Sequence, residues 1–447
     1  MRIQNLGPIS DATVHLNNLT LFIGDNDTGK TLAAYSVFAF HNWLEQFVPD
    51  LFSMEDFNGL RMSAKIQINI QRLQDSLRQK LVEAFNALNE EGQYFQDFFR
   101  DESTYKSGVT KITIDNQDLN LFGLRMDEAR LAYATVIQDG QSKRQNYALT
   151  FEAVDGDLRI SKDEIVERRE ISSSEQVLVR LNRMLEGFFV DSLTSSVYLP
   201  AERMGINVLQ SRLNNQIVAE SFANPLAVRS SVERYPCPIE AYIKYLNGAL
   251  NLAGRPYDEK ESVEEIRLLR KLVPGTFSFD EMTNRIKYQA SSDNSKQIDV
   301  SLVSSSLKSL LGIELFFKNR DIYNWLIIEE PEMGLHPTKQ TVMMDLLYQF
   351  TVADGHVVIA THSDYLVKEL INQVLASKLT DSYKHVEMAD KVVVYEFSES
   401  GVRNLGDISS QNQAGLANFD RTTDEINNRY YDLLEKMDSN SEGLSHY

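Results

Sequence analysis

A mixed sheet flanked by helices, an α/β fold built around a phosphate-binding loop, is predicted by three stretches of the chain. Residues 24–31 read GDNDTGKT and follow directly on the apolar run Leu19–Ile23. Residues 325–332 read WLIIEEPE, a hydrophobic strand that delivers adjacent acids. Residues 357–364 read VVIATHSD, a second apolar strand that ends in a histidine and helix-capping residues. Short β-branched runs followed by helical spacing are what a sheet covered on both faces requires.

In the first stretch Gly24 and Gly29 let the backbone turn tightly, so that the N–H groups of Asp25, Asn26, Asp27 and Thr28 can point inward at an anion. Lys30 is placed to reach the terminal phosphates of a nucleotide, and Thr31 offers a hydroxyl to Mg²⁺. The apolar residues from Leu32 to Leu44 recur at helical spacing, which puts a helix N-terminus at the phosphates.

The composition bounds what surrounds this loop. Hydrophobic residues make up 43% of the 447 and charged residues 24%, which excludes a disordered chain. There is no apolar run long enough to cross a membrane, and Met1 opens into a strand pattern instead of a signal peptide, so a cytoplasmic protein without a membrane partner is expected. A single cysteine, Cys237 between Pro236 and Pro238, excludes an intramolecular disulfide and a cysteine-rich metal site; it reads as a loop thiol. The net charge of −19 counts against a general positive field, so DNA is a possible partner but not the favoured one.

Taken in order, Arg2–Asn5 and Ala12–Leu16 read as strands around the turn Leu6, Gly7, Pro8. Ile66, Ile70, Leu73, Leu77, Leu81, Phe85 and Leu88 then recur at three- and four-residue steps, which predicts one amphipathic helix, either packed on its own domain or presented to a partner. Residues 109–160 alternate like antiparallel strands, with turns at Asp139–Gly140 and Asp155–Asp157. A helix over 175–189 and a strand over 195–199 follow. Residues 204–274 read as mostly helical, with a loop around 221–238, and 277–300 as a hairpin. From Ser304 the α/β rhythm returns: helix, strand 325–330, helix 336–350, strand 356–360, helix 364–377 and strand 391–397, with a frayed end after Met437. The corresponding division is 1–48 and 291–447 for the two parts of the nucleotide-binding head, 49–105 and 201–290 for helical insertions, and 106–200 for antiparallel strands and a helix.

Two acids at the end of one strand serve two tasks. Glu329 can hold Mg²⁺ and Glu330 can orient and polarise an attacking water. Strand alternation would send them to opposite sides, but the strand ends there and Pro331 turns the chain. Glu332 is the next candidate acid. His362 stands at a strand's C-terminal end, where ligands bind in parallel α/β sheets, while Ser363 or Asp364 reads as a helix N-cap.

These motifs, with Ser304, Ser305, Ser306, Leu307 and Lys308, the opening residues 2–24 and VYLPAERMGIN at 197–207, resemble the ABC-type ATPase heads of the SMC, RecF and OLD proteins. The similarity is greatest to OLD-like AAA family ATPases of bacterial anti-phage systems. The resemblance covers the first 45 residues and 300–400, with 197–207 as an island. It implies a P-loop NTPase of the ABC head type that binds ATP and Mg²⁺ through Lys30, Thr31 and Glu329, with Glu330 as catalytic carboxylate and His362 as switch histidine. It implies a signature loop at Ser304–Ser306 that meets the nucleotide of a second copy. Ser306 stands where the family has glycine, and its Cβ narrows the approach. The family's glutamine loop has no match that the sequence places; Glu202 and Arg203, at the end of strand 195–199, lie in a similar topological place and read either as reporters of nucleotide state or as an exposed ion pair.

The expected protein is therefore a slow, dimer-dependent ATPase switch. The chain after His362 is too short for the TOPRIM nuclease domain of OLD nucleases, so the effector, a nuclease for example, is expected on another chain. The rival readings are an SMC- or RecF-like DNA repair ATPase, a transporter's nucleotide-binding subunit and a non-hydrolysing scaffold.

Overall fold

The computed structural model describes residues 1–47, 50, 65–119, 131–138, 144–154, 156–165, 182, 196–210, 235–252, 263–280, 282–292, 296–320, 322–379, 390–409 and 428–431. The turn expected at Asp139–Gly140, the helix expected over 175–189 apart from Asn182, most of the 221–238 loop and the end after Met437 lie outside the described residues.

Five strands built from apolar residues lie parallel in one sheet. They are β3 (Leu19–Gly24), β9 (Ser196–Leu199), β13 (Trp325–Glu329), β14 (His356–Ala360) and β15 (Val392–Ser398), and β16 (Gly401–Asn404) adds an antiparallel edge. Their order is β16-β15-β3-β14-β13-β9. Strand β14 thus lies between the strand that feeds the phosphate loop and the strand that carries the acids. All three end on the same side, with Glu329 paired to Ala360 and Ala360 to Phe22.

Alternation divides the sheet's side chains between two cores. Leu19, Leu21, Ile23, Leu326, Ile328, Val357 and Ile359 face one core. That core is completed by α4 (Cys237–Leu250), α5 (Val263–Leu272), α6 (Ser305–Lys318), α7 (Pro337–Val352) and α8 (Asp364–Lys378). Phe22, Tyr198, Trp325, Ile327, Val358 and Phe397 face the other. There they meet α1 (Lys30–Leu44), α2 (Ile70–Glu91), α3 (Gln93–Phe99) and the antiparallel sheet of β1 (Arg2–Leu6), β2 (Ile9–Thr13) and β5 (Lys111–Thr113). All five residues of β13 are buried. At about 1.5–3 kcal/mol for each buried aliphatic or aromatic side chain, this strand fixes the height at which its terminal acids emerge.

Two smaller sheets complete the described chain. One has the order β4-β8-β7-β6, from β4 (Lys65–Asn69), β6 (Leu131–Gln138), β7 (Arg144–Val154) and β8 (Asp157–Ile165). The other joins β10 (Gly275–Asp280), β11 (Arg285–Ala290) and β12 (Gln297–Asp299). The whole is a mixed sheet flanked by helices with an inserted helical and antiparallel part, an α/β architecture.

Three expectations need correction. The long helix does not start at Ile66: the alternating segment KIQIN pairs with β8 as β4, and Asn69 caps the helix from Ile70 by accepting the Arg72 N–H at 3.0 Å. Its apolar stripe, Leu73, Leu77, Leu81 and Phe85, is buried against Phe40 and Trp43, so the stripe packs on its own domain and is not offered to a partner. The second strand spans Ile9–Thr13 because the turn at Gly7 and Pro8 sets the register Leu6 to Ile9. Cys237 is the first residue of α4 and not a loop thiol, since Pro236 and Pro238 suit a helix start; burial pushes its thiol up to about 11.

Candidate functional site

Gly24, the last residue of β3, has φ of +130° and pairs with Phe397 of β15. A Cβ built on it would lie 1.9 Å from the Phe397 carbonyl oxygen, so strand pairing alone already demands glycine. Asp25, Asn26 and Asp27 are exposed, Asp27 with φ of +59°. Thr28 closes the turn by donating its hydroxyl to the Asp25 carbonyl at 2.8 Å. Gly29, at φ of +101°, precedes α1 and supplies no side-chain cap, which leaves the first amides of that helix to an anion.

Lys30 is buried and donates to the carbonyls of Gly24 at 3.0 Å and Asp25 at 2.5 Å. Burial lowers its pKa to about 8, against the opposing pull of Glu330, Asp25, Asp27 and Glu332. Thr31 is exposed at the mouth of the loop.

The two acids diverge as a strand end allows. Glu329 remains in β13, 3% exposed, and its Oε2 accepts the Ala201 N–H at 3.2 Å. Burial raises its pKa, while the hydroxyls of Tyr198 and Thr31 lie close enough to favour its charged form. Glu330 leaves the strand with φ of +41° and still donates its N–H to the Ala360 carbonyl at 2.8 Å. Its carboxylate turns toward His362, with Oε1 3.3 Å from Nε2. Burial, and then Glu332 beside it, push Glu330 well above the usual carboxylate range.

Glu332 is itself fixed by β14. Its Oε1 accepts from the Thr361 hydroxyl at 2.6 Å and the His362 N–H at 3.1 Å. The His362 ring lies between Glu330 and the Gly24 carbonyl, and burial, followed by the charge of Lys30, lowers its pKa. Ser363 caps α8 by accepting the Leu366 N–H at 3.2 Å. Lys30, Thr31, Glu329, Glu330 and His362 thus meet at the ends of three neighbouring strands, and Glu332 joins them.

The donor set suits a hard divalent cation. Glu329 Oε1 is buried without a well-formed hydrogen bond, next to the Thr31 hydroxyl, and so lacks the partner that a cation would supply. Among the described residues no three His, Cys, Asp or Glu side chains cluster as a metal cage. Mg²⁺ does not need one, because it takes one or two protein oxygens and completes its shell with waters and substrate phosphates.

Ser304–Ser306 lie elsewhere. Ser304 caps α6 by accepting the Leu307 N–H at 3.3 Å, and Ser304 and Ser305 are exposed. Among the described residues no hydrogen bond joins these serines to residues 24–31. Glu202 is exposed, but Arg203 is 0% exposed, which overturns the surface ion-pair reading. Its guanidinium donates to the main-chain carbonyls of Glu329 and Glu330, both at 2.6 Å, and of Ser309 and Pro200, both at 3.1 Å. This role left no local signal in the sequence, since three of the four partners lie more than a hundred residues away and all are backbone atoms.

Residues 195–368 match the family model described as AAA domain, putative AbiEii toxin, Type IV TA system. The match covers less than half of the chain; it contains the acids and His362 but not the phosphate loop. It supports an AAA-type, nucleotide-binding ATPase domain. No curated protein matches the chain. Solved structures similar to it include an SMC head bound to the C-terminal winged-helix domain of ScpA (9% identity, TM-score 0.34, 90% of this chain and 95% of that one). An SMC head domain from Thermotoga maritima gives 9% identity and a TM-score of 0.30, over 90% of this chain and 96% of that one. The SMC head with an extended coiled coil, bound to a ScpA domain derived from Pyrococcus furiosus, gives 11% and 0.33, over 95% and 98%.

Proposed function

We propose that this protein is an ATP-hydrolysing switch whose nucleotide state controls a separate effector, as the sensor component of an anti-phage defence system. The observation that carries the hydrolytic part is the meeting of Lys30, Glu329, Glu330 and His362 at the ends of β3, β13 and β14.

The loop amides and the N-terminus of α1 bind the phosphates, and Lys30 exchanges its two carbonyl partners for phosphate oxygens. Thr31 and Glu329 hold Mg²⁺, which when bound supplies charge stabilisation to the transferring phosphoryl group. Glu330 orients the attacking water and accepts its proton, and the neutral His362 ring fixes the carboxylate's direction.

The exposed serines at the start of α6, out of hydrogen-bonding reach of their own phosphate loop, support their use against the nucleotide of a second copy, and hence an ATP-dependent homodimer. The family description of the matched segment, a putative toxin of a TA system, supports a role beside a second component. With α2's apolar stripe committed to the core, that stripe is not the surface that meets the effector.

The purified protein is expected to release phosphate slowly from ATP with Mg²⁺, to leave nucleic acid intact and to bind duplex DNA weakly at physiological salt. Metal-dependent nuclease activity that persists through purification and disappears in a Glu329 variant would overturn the separate-effector reading.

A further inference from the structure

A guanidinium that is 0% exposed with no carboxylate in ion-pairing distance among the described residues is costly, because burial strips the charge of water and the carboxylates of Glu332, Glu329 and Glu330 favour it only from beyond contact. Arg203 meets that cost with four N–H contacts to main-chain oxygens, on Pro200 after β9, on Glu329 and Glu330 at the end of β13, and on Ser309 in the first turns of α6. Three segments distant in sequence are tied to one planar group. One of the bound carbonyls belongs to Glu330, a residue in the left-handed region that β-strand packing does not favour. The same turn of α6 is pinned a second time. Asn207, one helical turn beyond Arg203, donates to the Lys308 carbonyl at 2.7 Å and is itself held by the Tyr242 hydroxyl at 2.6 Å.

We propose that Arg203 is a positioning residue for hydrolysis: it holds the Glu330 backbone in its left-handed conformation and couples the placement of that carboxylate to α6, the helix that starts at Ser304–Ser306. A displacement of α6 when its first turn meets a partner nucleotide moves the Ser309 carbonyl, and Arg203 transmits that movement to Glu330. Lysine in its place keeps the charge but cannot span the four carbonyl groups with one planar fork. The proposal rests on Glu330 as the hydrolytic carboxylate.

The test compares wild type, Arg203→Lys, Glu330→Gln and the double variant, measuring ATP affinity by equilibrium binding and phosphate release at saturating ATP and Mg²⁺. Arg203→Lys should keep ATP affinity within about threefold and lower kcat at least about tenfold, roughly 1.4 kcal/mol. In the Glu330→Gln background it should cost no further rate, because it acts through that carboxylate. An unchanged kcat, or losses that multiply across the two sites, would overturn the positioning role while leaving the ATPase reading intact. Turnover unaffected by Glu330→Gln would instead overturn the reading on which it rests. If Arg203→Lys does not fold, Asn207→Ala takes its place, since it loosens the same turn with Arg203 present. A several-fold drop in kcat that vanishes in the Glu330→Gln background supports the coupling, and wild-type kcat contradicts it.

Discussion

Alanine at Gly24 separates two demands that a phosphate loop usually combines. The residue's φ of +130° is closed to a side chain, at a cost of about 1–3 kcal/mol. Its new Cβ would stand 1.9 Å from the carbonyl oxygen of Phe397, a backbone atom that cannot rotate away. β15 must therefore retreat from β3, which adds about 1–3 kcal/mol in lost pairing and disturbed packing. The sum, about 2–6 kcal/mol, is a large share of a typical domain's stability, and at roughly 2–4 °C per kcal/mol it should lower the melting temperature by about 4–24 °C. Gly29→Ala is the control. It also has positive φ, but its Cβ would meet the Ile9 side chain at 2.5 Å and no strand backbone, so its stability loss should be smaller and its loss of ATP affinity larger. Thermal melts followed by near-UV circular dichroism, with ATP binding measured on the folded fraction, read both. A Gly24→Ala protein that melts within 2 °C of wild type, an interval set by the roughly 2–4 °C expected per kcal/mol, would refute the strand-pairing explanation.

Lys30→Ala should weaken ATP binding by at least about 100-fold, because the loop amides alone cannot offset the phosphate charge; equilibrium dialysis at wild-type affinity would remove the loop from the mechanism. Asp345 is pushed up to about 6 by burial and then by its neighbour Glu369, while Gln373 donates to both. A carboxyl with a raised folded pKa prefers its proton in the native state, so its contribution to stability falls as pH rises from about 4 to about 6 and stays reduced above. Asp345→Asn should then stabilise the protein at pH ~7.5 by on the order of 1–2 kcal/mol and have little effect at pH ~4; urea melts at the two pH values check this, and equal gains at both would contradict it.

The phosphate loop and the ends of the apolar strands were legible because their signals are local. Val357–Ala360 cannot be much other than a buried strand, and a glycine–lysine–threonine run after such a strand has few other uses. What escaped depends on distant partners. β4 shares its isoleucine spacing with a helix and becomes a strand only because β8 lies beside it. The edge strand β16, GVRN, has no apolar alternation and exists through pairing with β15. Arg203 reads from sequence either as a reporter of nucleotide state or as half of an exposed ion pair, yet its oxygen partners on Glu329, Glu330 and Ser309 draw it wholly inside. Glu332 was legible only as the next candidate acid, and the hold on it by Thr361 and the His362 amide comes from the end of β14.

The account stands most directly on Glu330. With the amide of Glu330→Gln in its place, the site keeps its shape and its phosphate contacts but loses the group that accepts the water's proton. Single-turnover release of phosphate from saturating ATP and Mg²⁺ should fall by about 10²–10⁴-fold while ATP stays bound and a nucleotide-held dimer accumulates. Release within twofold of wild type would contradict the assignment of this site as the place where ATP is hydrolysed.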